Sequence, residues 1–450
     1  MLEPLYTAEE MRAAEARYPG YPETAADLMD RAGRAVANEV ATRYPDAQFV
    51  AAVCGGGSNG GDGRIAAELL SAMGRDTRIV EQGGEVPSCD VVIDALFGTG
   101  FHGEPRAEAA ALIEQINGAS CPVVAVDVPS GVDASTGEVA GPAVRADVTV
   151  TMHGPKVGLH VAPGRFHAGA IVVVDIGLDG HEETAHRLVG PDVLSVVPRR
   201  APGDNKYTAG AVLVVGGAPG TSGAVCLTAE AALRADAGYV TVCAPAEVLP
   251  VVETRLLEPV KRPLEDAFEA AERAQALAVG PGLGRDRKEL VRRLLAELDL
   301  PAVVDADALY ELEPASRSAQ TVLTPHEGEL GRLIGEESNW VAAHRLAAAR
   351  RAVEKFGCVV LLKGNETIVA SPDAPTLVTS LSTPALATAG TGDVLTGIVA
   401  AFLAKGIEAP LAAAAGAVAQ NVAAGLGLQA GLVASDVVAR LPRALEDAPL

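Results

Sequence analysis

The chain has 450 residues, and 36 basic against 58 acidic side chains leave a net charge of −22. Up to Ser195 the balance is 13 against 28, and beyond it 23 against 30, so neither half offers the basic surface that nucleic acid or an anionic membrane requires. Apolar residues make up 49% and charged residues 21%, which excludes wholesale disorder, while aromatics at 3% mean cores built from Ala, Val and Leu.

The N-terminal twenty residues are acidic and lack the basic-then-apolar profile of a secretory leader. Phe49–Cys54 reads as a short buried strand, followed by the loop Gly55–Gly63 and a helix over Arg64–Met73. Further strands are expected at Val91–Asp94, Val123–Asp127, Val148–Met152 and Ile171–Ile176. The charged, Pro/Gly-bearing stretch Arg199–Asn205 reads as a linker. Beyond it, strands are expected at Ala211–Val215, Tyr239–Cys243, Ala276–Val279, Ala302–Asp305, Thr321–Thr324 and Val359–Leu362, with helices that include Ser222–Ala235, Arg287–Glu297 and Val394–Leu403. Uniformly apolar strands alternating with helices predict parallel α/β sheets, in two domains at about 1–195 and 200–450. Ala409–Ser435 carries no charge, but its Ala and Gly content and its Pro410, Gln420, Asn421 and Gln429 argue for buried helices rather than a membrane span. Six cysteines with no C-x-x-C pair fit buried, reduced thiols in a cytoplasmic protein.

The glycine loops carry the chemistry. Gly55-x-Gly57-x-x-Gly60 matches the dinucleotide fingerprint, with Glu81 near the place of a ribose-binding acid. Asp62, however, stands where a pyrophosphate would face the helix, so a plain dehydrogenase site fits poorly. Asp94 and Asp127 each end a strand and open a loop. With Asn59 and Ser130 they form an oxygen-rich set suited to a hard cation rather than zinc. Lys156 lies in a further glycine-rich loop. In the second half, Gly390-Thr391-Gly392-Asp393 opens an apolar helix. Backbone N–H groups there make an anion hole, with an acid beside it to take a proton from a hydroxyl attacking phosphate. Gly216–Ala224, Gly280–Gly284, Thr324–Glu329 and Lys363–Thr367 are the other strand-end loops; Asp305 and Asp307 read either as caps or as part of a magnesium–phosphate shell.

Together these motifs resemble a known family. On G-x-G-x-N-G-G-D-G, D-A-L-F-G-T-G and D-V-P-S-G, the first half resembles the epimerase domain of the NAD(P)H-hydrate repair enzymes. On GPGLG, DADAL, TPHEGE, KG-x-x-T and AGTGD, the second resembles their dehydratase domain, which is ribokinase-like. The resemblance implies a Rossmann-like three-layer αβα domain followed by a ribokinase-like α/β domain, acting on hydrated NADH or NADPH with ADP as phosphoryl donor, Mg2+ and K+. It implies that Ser58, Asn59, Gly60, Gly61, Asp62, Gly98, Thr99, Gly100, Phe101, His102, Gly103, Glu104 and Asp127 line the epimerase site, and that Asn59, Asp94 and Ser130 hold K+. In the dehydratase, Ala224, Gly282, Gly284, His326 and Asp393 would meet the hydrate, and Lys363, Gly364, Asn365, Glu366, Thr367, Gly390, Thr391 and Gly392 the nucleotide. Asp393 would be the dehydratase base; Asp127, then Lys156, are the choices for epimerase acid–base work. Two positions depart from the family pattern: Ser58 replaces Asn, and Tyr310 replaces an Asn that often follows DADAL. A small-molecule kinase and a non-catalytic dinucleotide binder are the competing readings. A homo-oligomer without nucleic-acid or membrane partners is expected.

Overall fold

The computed structural model describes residues 2–180, 183–380 and 382–447. The chain divides into two compact units, Pro4–His186 and Met1–Glu3 with Arg187–Leu450. After a short strand β1 (Leu2–Leu5), the first unit runs α1 (Ala8–Ala16), α2 (Ala25–Arg43), β2 (Phe49–Cys54), α3 (Ser58–Ala72), β3 (Asp76–Val80), β4 (Val91–Ala95), α4 (Ala107–Gly118), β5 (Val123–Val126), β6 (Val148–Met152) and β7 (Ala170–Val174). These six strands form a parallel sheet of order β3-β2-β4-β5-β6-β7. β4 and β5 are buried along their whole length, as unbroken apolar runs in a sheet covered on both faces must be. The order reverses between β2 and β4, so the loops leaving these two strands open a crevice.

One expectation is corrected here. The glycine-rich stretch was expected to be a loop reaching Gly63, with a helix from Arg64, but α3 begins at Ser58 and takes Gly60, Gly61, Asp62 and Gly63 into its first turns. An added Cβ at Gly60 would stand 2.0 Å from the Gly55 carbonyl oxygen, and one at Gly63 2.5 Å from the Ala95 Cβ. The glycines let the helix start lie on the ends of β2 and β4, and that contact overrides their poor helix propensity.

The second unit contains β8 (His186–Val189), β9 (Ala211–Val215), α5 (Ser222–Arg234), β10 (Tyr239–Ala244), α6 (Leu249–Arg255), β11 (Val260–Pro263), α7 (Ala267–Ala271), β12 (Ala276–Val279), α8 (Lys288–Glu297), β13 (Ala302–Val304), β14 (Thr321–Leu323), α9 (Glu327–Ile334), α10 (Ser338–Ala343), α11 (Arg345–Phe356), β15 (Val359–Leu362), β16 (Ile368–Ala370), β17 (Thr376–Thr379), α12 (Thr391–Ala404), α13 (Ala409–Gly425) and α14 (Ala434–Glu446). Among the described residues the sheet order is β1-β8-β17-β16-β15-β14-β13-β12-β9-β10-β11, with β15, β16 and β17 antiparallel to one another in turn. Here the switch lies between β9 and β12. Helix α12 begins at Thr391, three residues before the expected start, and is buried from Val394 to Ala404. The charge-free stretch after it is α13 and the start of α14; α13 is itself largely buried, its alanines packed in the same core as α12. Among the described residues no helix is long and apolar enough to cross a membrane. The stretch Arg199–Asn205 lies inside the second unit, where Arg199 pairs with Glu446 at 2.7 Å and Arg200 with Asp236 at 2.7 Å. All six cysteines are free thiols, but only Cys54, Cys226 and Cys243 are buried as expected; Cys89, Cys121 and Cys358 are half-buried.

Candidate active sites

In the first unit, the loops after β2, β4 and β5 surround a cavity of about 700 Å³. Of the residues predicted for this site, Ser58, Asn59, Asp62, Gly98, Thr99, Gly100, Phe101, His102 and Asp127 line it. Gly60, Gly61, Gly103 and Glu104 do not: Gly60 packs on the Gly55 backbone, Gly61 on the Met29 sulfur, and Glu104 lies beside Gly141. Asp127 follows β5 with φ +66°, an unusual backbone conformation for a residue with a side chain. Its Oδ1 is 2.7 Å from Lys156 Nζ and accepts a hydrogen bond from Thr151 Oγ1 at 3.2 Å. Lys156 is wholly buried and donates to Thr151 Oγ1 at 2.9 Å and to the Met152 carbonyl at 2.7 Å. Its charge therefore meets the cavity from behind Asp127. Glu81, at the ribose-acid position of the fingerprint, is instead exposed and paired with Arg64 at 2.8 Å.

Asn59, Asp94 and Ser130 do come together. Asp94 is fully buried; Ser130 donates to it from N at 2.8 Å and from Oγ at 2.6 Å. The Phe97 N–H donates to Ser130 Oγ at 2.9 Å, and Asn59 Nδ2 donates to the Phe97 carbonyl at 2.8 Å. Burial pushes the Asp94 carboxyl up to about 6, against the hydrogen bonds from Ser130. A buried carboxylate among neutral oxygens, with no basic partner, is a donor set that fits K+.

The sequence reading missed the other wall. Met11, Arg12 and Glu15 of α1, and Leu28 and Met29 of α2, also line the cavity. A signal for α1 was present: Thr7 and Glu10 form a capping box. The Asp62 carboxyl is pushed up to about 8, first by burial and then by the charges of Asp127 and Glu15.

In the second unit, the loops after β9 and β12 meet at the switch. Gly217 N–H donates to the Pro281 carbonyl at 2.9 Å, and Thr221 Oγ1 to the Gly282 carbonyl at 2.9 Å. Gly284 N–H donates to Asp307 Oδ2 at 3.0 Å, so Asp307 holds the glycine loop. Ala224 lies in the first turn of α5, its Cβ 3.1 Å from where a Cβ on Gly282 would fall. Asp305 is not a helix cap: its carboxylate joins Lys363 Nζ and Thr396 Oγ1, each at 2.8 Å. Glu329 lies 3.9 Å from the same ammonium. Asp393 stands in the first turn of α12, behind Gly390 at φ +90°, a turn that suits glycine. Burial, then the charge of Asp305, pushes Asp393 up to about 7, with Lys363 opposing. Burial by itself would depress Lys363, but Asp305 and Glu329 hold it above its ordinary value.

A cavity of about 620 Å³ lies beside this cluster, lined by Lys363, Gly364, Asn365, Thr367, Thr391 and Gly392 among the predicted nucleotide residues. Glu366 and Gly390 are not among them: Glu366 is fully buried, with Oε1 2.5 Å from Arg345 Nε, and Gly390 faces the Leu227 side chain. His326 lines this cavity too. It caps α9, its Nδ1 accepting the Gly328 N–H at 3.0 Å. Residues not foreseen include Arg345, Thr396 and Gln420. Gln420 Nε2 donates to the Thr391 carbonyl at 2.5 Å and lines the cavity. Tyr310 offers its ring to Arg285, whose guanidinium carbon is 4.8 Å from the centroid.

Two α/β units, the first with a cavity at its topological switch and the second with a cavity over the loops that follow β14 and β15 and the start of α12, have the form of an α/β enzyme with two small-molecule sites. The NAD(P)H-hydrate dehydratase family model matches residues 212–443, and the model for the YjeF-related protein N-terminus matches 25–82 and 75–158. A bifunctional NAD(P)H-hydrate repair enzyme, Nnr, from Salinibacter ruber is 37% identical over 92% of this chain and 90% of its own length. The crystal structure of an ADP/ATP-dependent NAD(P)H-hydrate dehydratase from Bacillus subtilis, co-crystallised with ATP/Mg2+, is similar to 57% of this chain over 96% of its own, at 28% identity and TM-score 0.53. A ribokinase-like superfamily protein from Enterococcus faecalis shares the fold, with TM-score 0.53 over 60% of this chain and 99% of its own, at 22% identity. The chain belongs to the family of bifunctional NAD(P)H-hydrate repair enzymes.

Proposed function

We propose that this chain repairs hydrated NADH and NADPH, the first unit interconverting the R and S hydrates and the second dehydrating the S hydrate with a nucleotide as phosphoryl donor. The observation that carries this reading is Asp393, at the amino end of a buried helix, beside an ammonium held by Asp305 and next to a glycine-lined cavity. Hydroxide leaves carbon poorly and phosphate leaves well. Asp393 takes the proton of the C6 hydroxyl as that oxygen attacks the terminal phosphoryl group. The N–H groups of the first turn of α12 and the Lys363 ammonium stabilise the charge that develops on the transferred group. Loss of phosphate then restores the ring double bond.

The Lys363–Thr367 loop, with Thr391 and Gly392, holds the nucleotide, and ADP is the donor in this reading. Mg2+ accompanies the nucleotide phosphates and needs few protein ligands. In the first unit Asn59, Asp94 and Ser130 hold K+, whose charge offsets that of the buried carboxylate. Asp127, with Lys156 behind it, moves a proton at the hydrated carbon.

The test is recovery of dihydronicotinamide absorbance from hydrated NADH with Mg2+ and either ADP or ATP. Recovery with ADP is expected. No recovery with either nucleotide, together with phosphorylation of a thiazole or pyrimidine alcohol, would overturn the assignment.

A further inference from the structure

The cavity of the first unit has a second acidic wall that the proposed reaction has not yet used. Asp127 has a cationic partner in Lys156. Glu15 on α1 and Asp62 on α3 line the same cavity, and among the described residues neither side chain has a hydrogen-bond or ion-pair partner. Arg12 also lines the cavity, but among the described residues no ion pair joins it to Glu15 or Asp62, and unpaired carboxylates are a costly lining for the site of an anionic dinucleotide unless one of them carries a proton.

Interconversion of the two hydrates sets a geometric demand. The hydroxyl leaves one face of the ring carbon and water enters at the other. One group must therefore give a proton on the first face, and another must take one on the second.

We propose that Glu15 is the second proton-transfer group of this site, working from α1 while Asp127 and Lys156 work from the β5 side. The inference rests on the epimerase reading of the first unit. The Glu15 proton passes to the C6 hydroxyl, the C6–O bond breaks, water departs, and the ring nitrogen lone pair forms the N1=C6 iminium. Water then adds to the opposite face of C6 and its proton passes to the Asp127 carboxylate. The opposite conversion runs the same path backwards, with the two carboxyls exchanging roles. The groups facing Glu15 fit this assignment. Burial raises its affinity for a proton, the Asp127 charge raises it further, and Lys156 and Arg12 oppose. Asp62 lines the same cavity, and burial, then the charges of Asp127 and Glu15, raise its proton affinity too.

The test uses the full chain and chiral separation of the hydrates. Glu15→Gln is expected to lower kcat for R/S interconversion by about 10² or more, with KM within about threefold of wild type. In Glu15→Ala, added formate is expected to restore part of the rate, a result that a purely structural role would not give. Nucleotide-dependent dehydration of the S hydrate is expected to stay at the wild-type rate, showing that the chain is intact. A Glu15→Gln kcat within threefold of wild type, a loss confined to KM, or an Ala variant indifferent to formate would overturn the proposal. Failure of the wild-type chain to interconvert the hydrates faster than buffer would instead overturn the epimerase reading on which it rests.

Discussion

At the scale of single residues, the sites are made by carboxyls whose proton affinity their surroundings raise. Asp393 is pushed up to about 7, and as a base it works only when ionised. The dehydratase kcat/KM is therefore expected to fall about tenfold per pH unit below about 7, and Asp393→Asn to lower it by at least about 10² while nucleotide binding persists. Pre-steady-state recovery of absorbance, alongside titration of nucleotide into the variant, checks both. Asp62 has the opposite relation to stability from a salt-bridged acid. Its pKa is raised from 3.8 to about 8, so the folded state holds this proton more tightly than the unfolded one does. The associated stability is present at low pH and is lost as the pH rises between those values. Asp62→Asn is expected to melt about 3 °C or more above wild type at pH 8, with a smaller difference at pH 5, as calorimetry at the two pH values would show. The residue types at these positions were plain in the sequence. That Lys156 is buried behind Asp127, or that Asp305 ties Lys363 to Thr396, depends on distances between strands far apart along the chain.

At the scale of elements, each site is a helix start pressed against strand ends. In α3 the glycines serve contact rather than looseness, and the prediction follows from two of them. Gly60→Ala puts a methyl group 2.0 Å from a carbonyl oxygen, whereas a Cβ at Gly56 meets nothing within 4 Å. Gly60→Ala is expected to cost about 3 kcal/mol in urea unfolding of the first unit, and Gly56→Ala under about 1 kcal/mol. In the second unit, buried Arg345 holds the Lys363–Thr367 loop in place. It donates to Glu366 Oε1 at 2.5 Å, to the Glu366 carbonyl at 2.9 Å and to Glu327 Oε1 at 2.6 Å, which ties β15 to the start of α9. The sequence read Glu366 as part of the nucleotide site because it lies in the KG-x-x-T run. Its turn into the protein is decided by Arg345, on another helix. The strands expected from the sequence, by contrast, lie within a residue or two of their places, because buried parallel strands leave unbroken apolar runs such as Val148–Met152, whereas β8, β11, β16 and β17, three or four residues long, were not foreseen.

At the scale of the whole molecule, two sites act on one damaged cofactor, and their division of labour has a kinetic signature. With a mixture of R and S hydrates, wild type is expected to restore all of the dihydronicotinamide in one phase. Asp127→Ala is expected to restore the S share rapidly and the remainder only at the uncatalysed rate of epimerisation. A single full-amplitude phase in that variant would remove Asp127 from the mechanism. The net charge of −22 is reconciled with anionic ligands by the same architecture. On the proposed function, glycine loops and helix starts present backbone N–H groups to phosphates, so few basic side chains are required. Local periodicity and short motifs make the two α/β halves, the order of the glycine loops and most of the acids at the strand ends legible in the chain. Packing settled which of these residues face a cavity and which face the core. It also brought Glu15, Arg345 and Gln420 to the sites, because side-chain direction and proximity across a sheet are set by packing between segments that the chain keeps far apart.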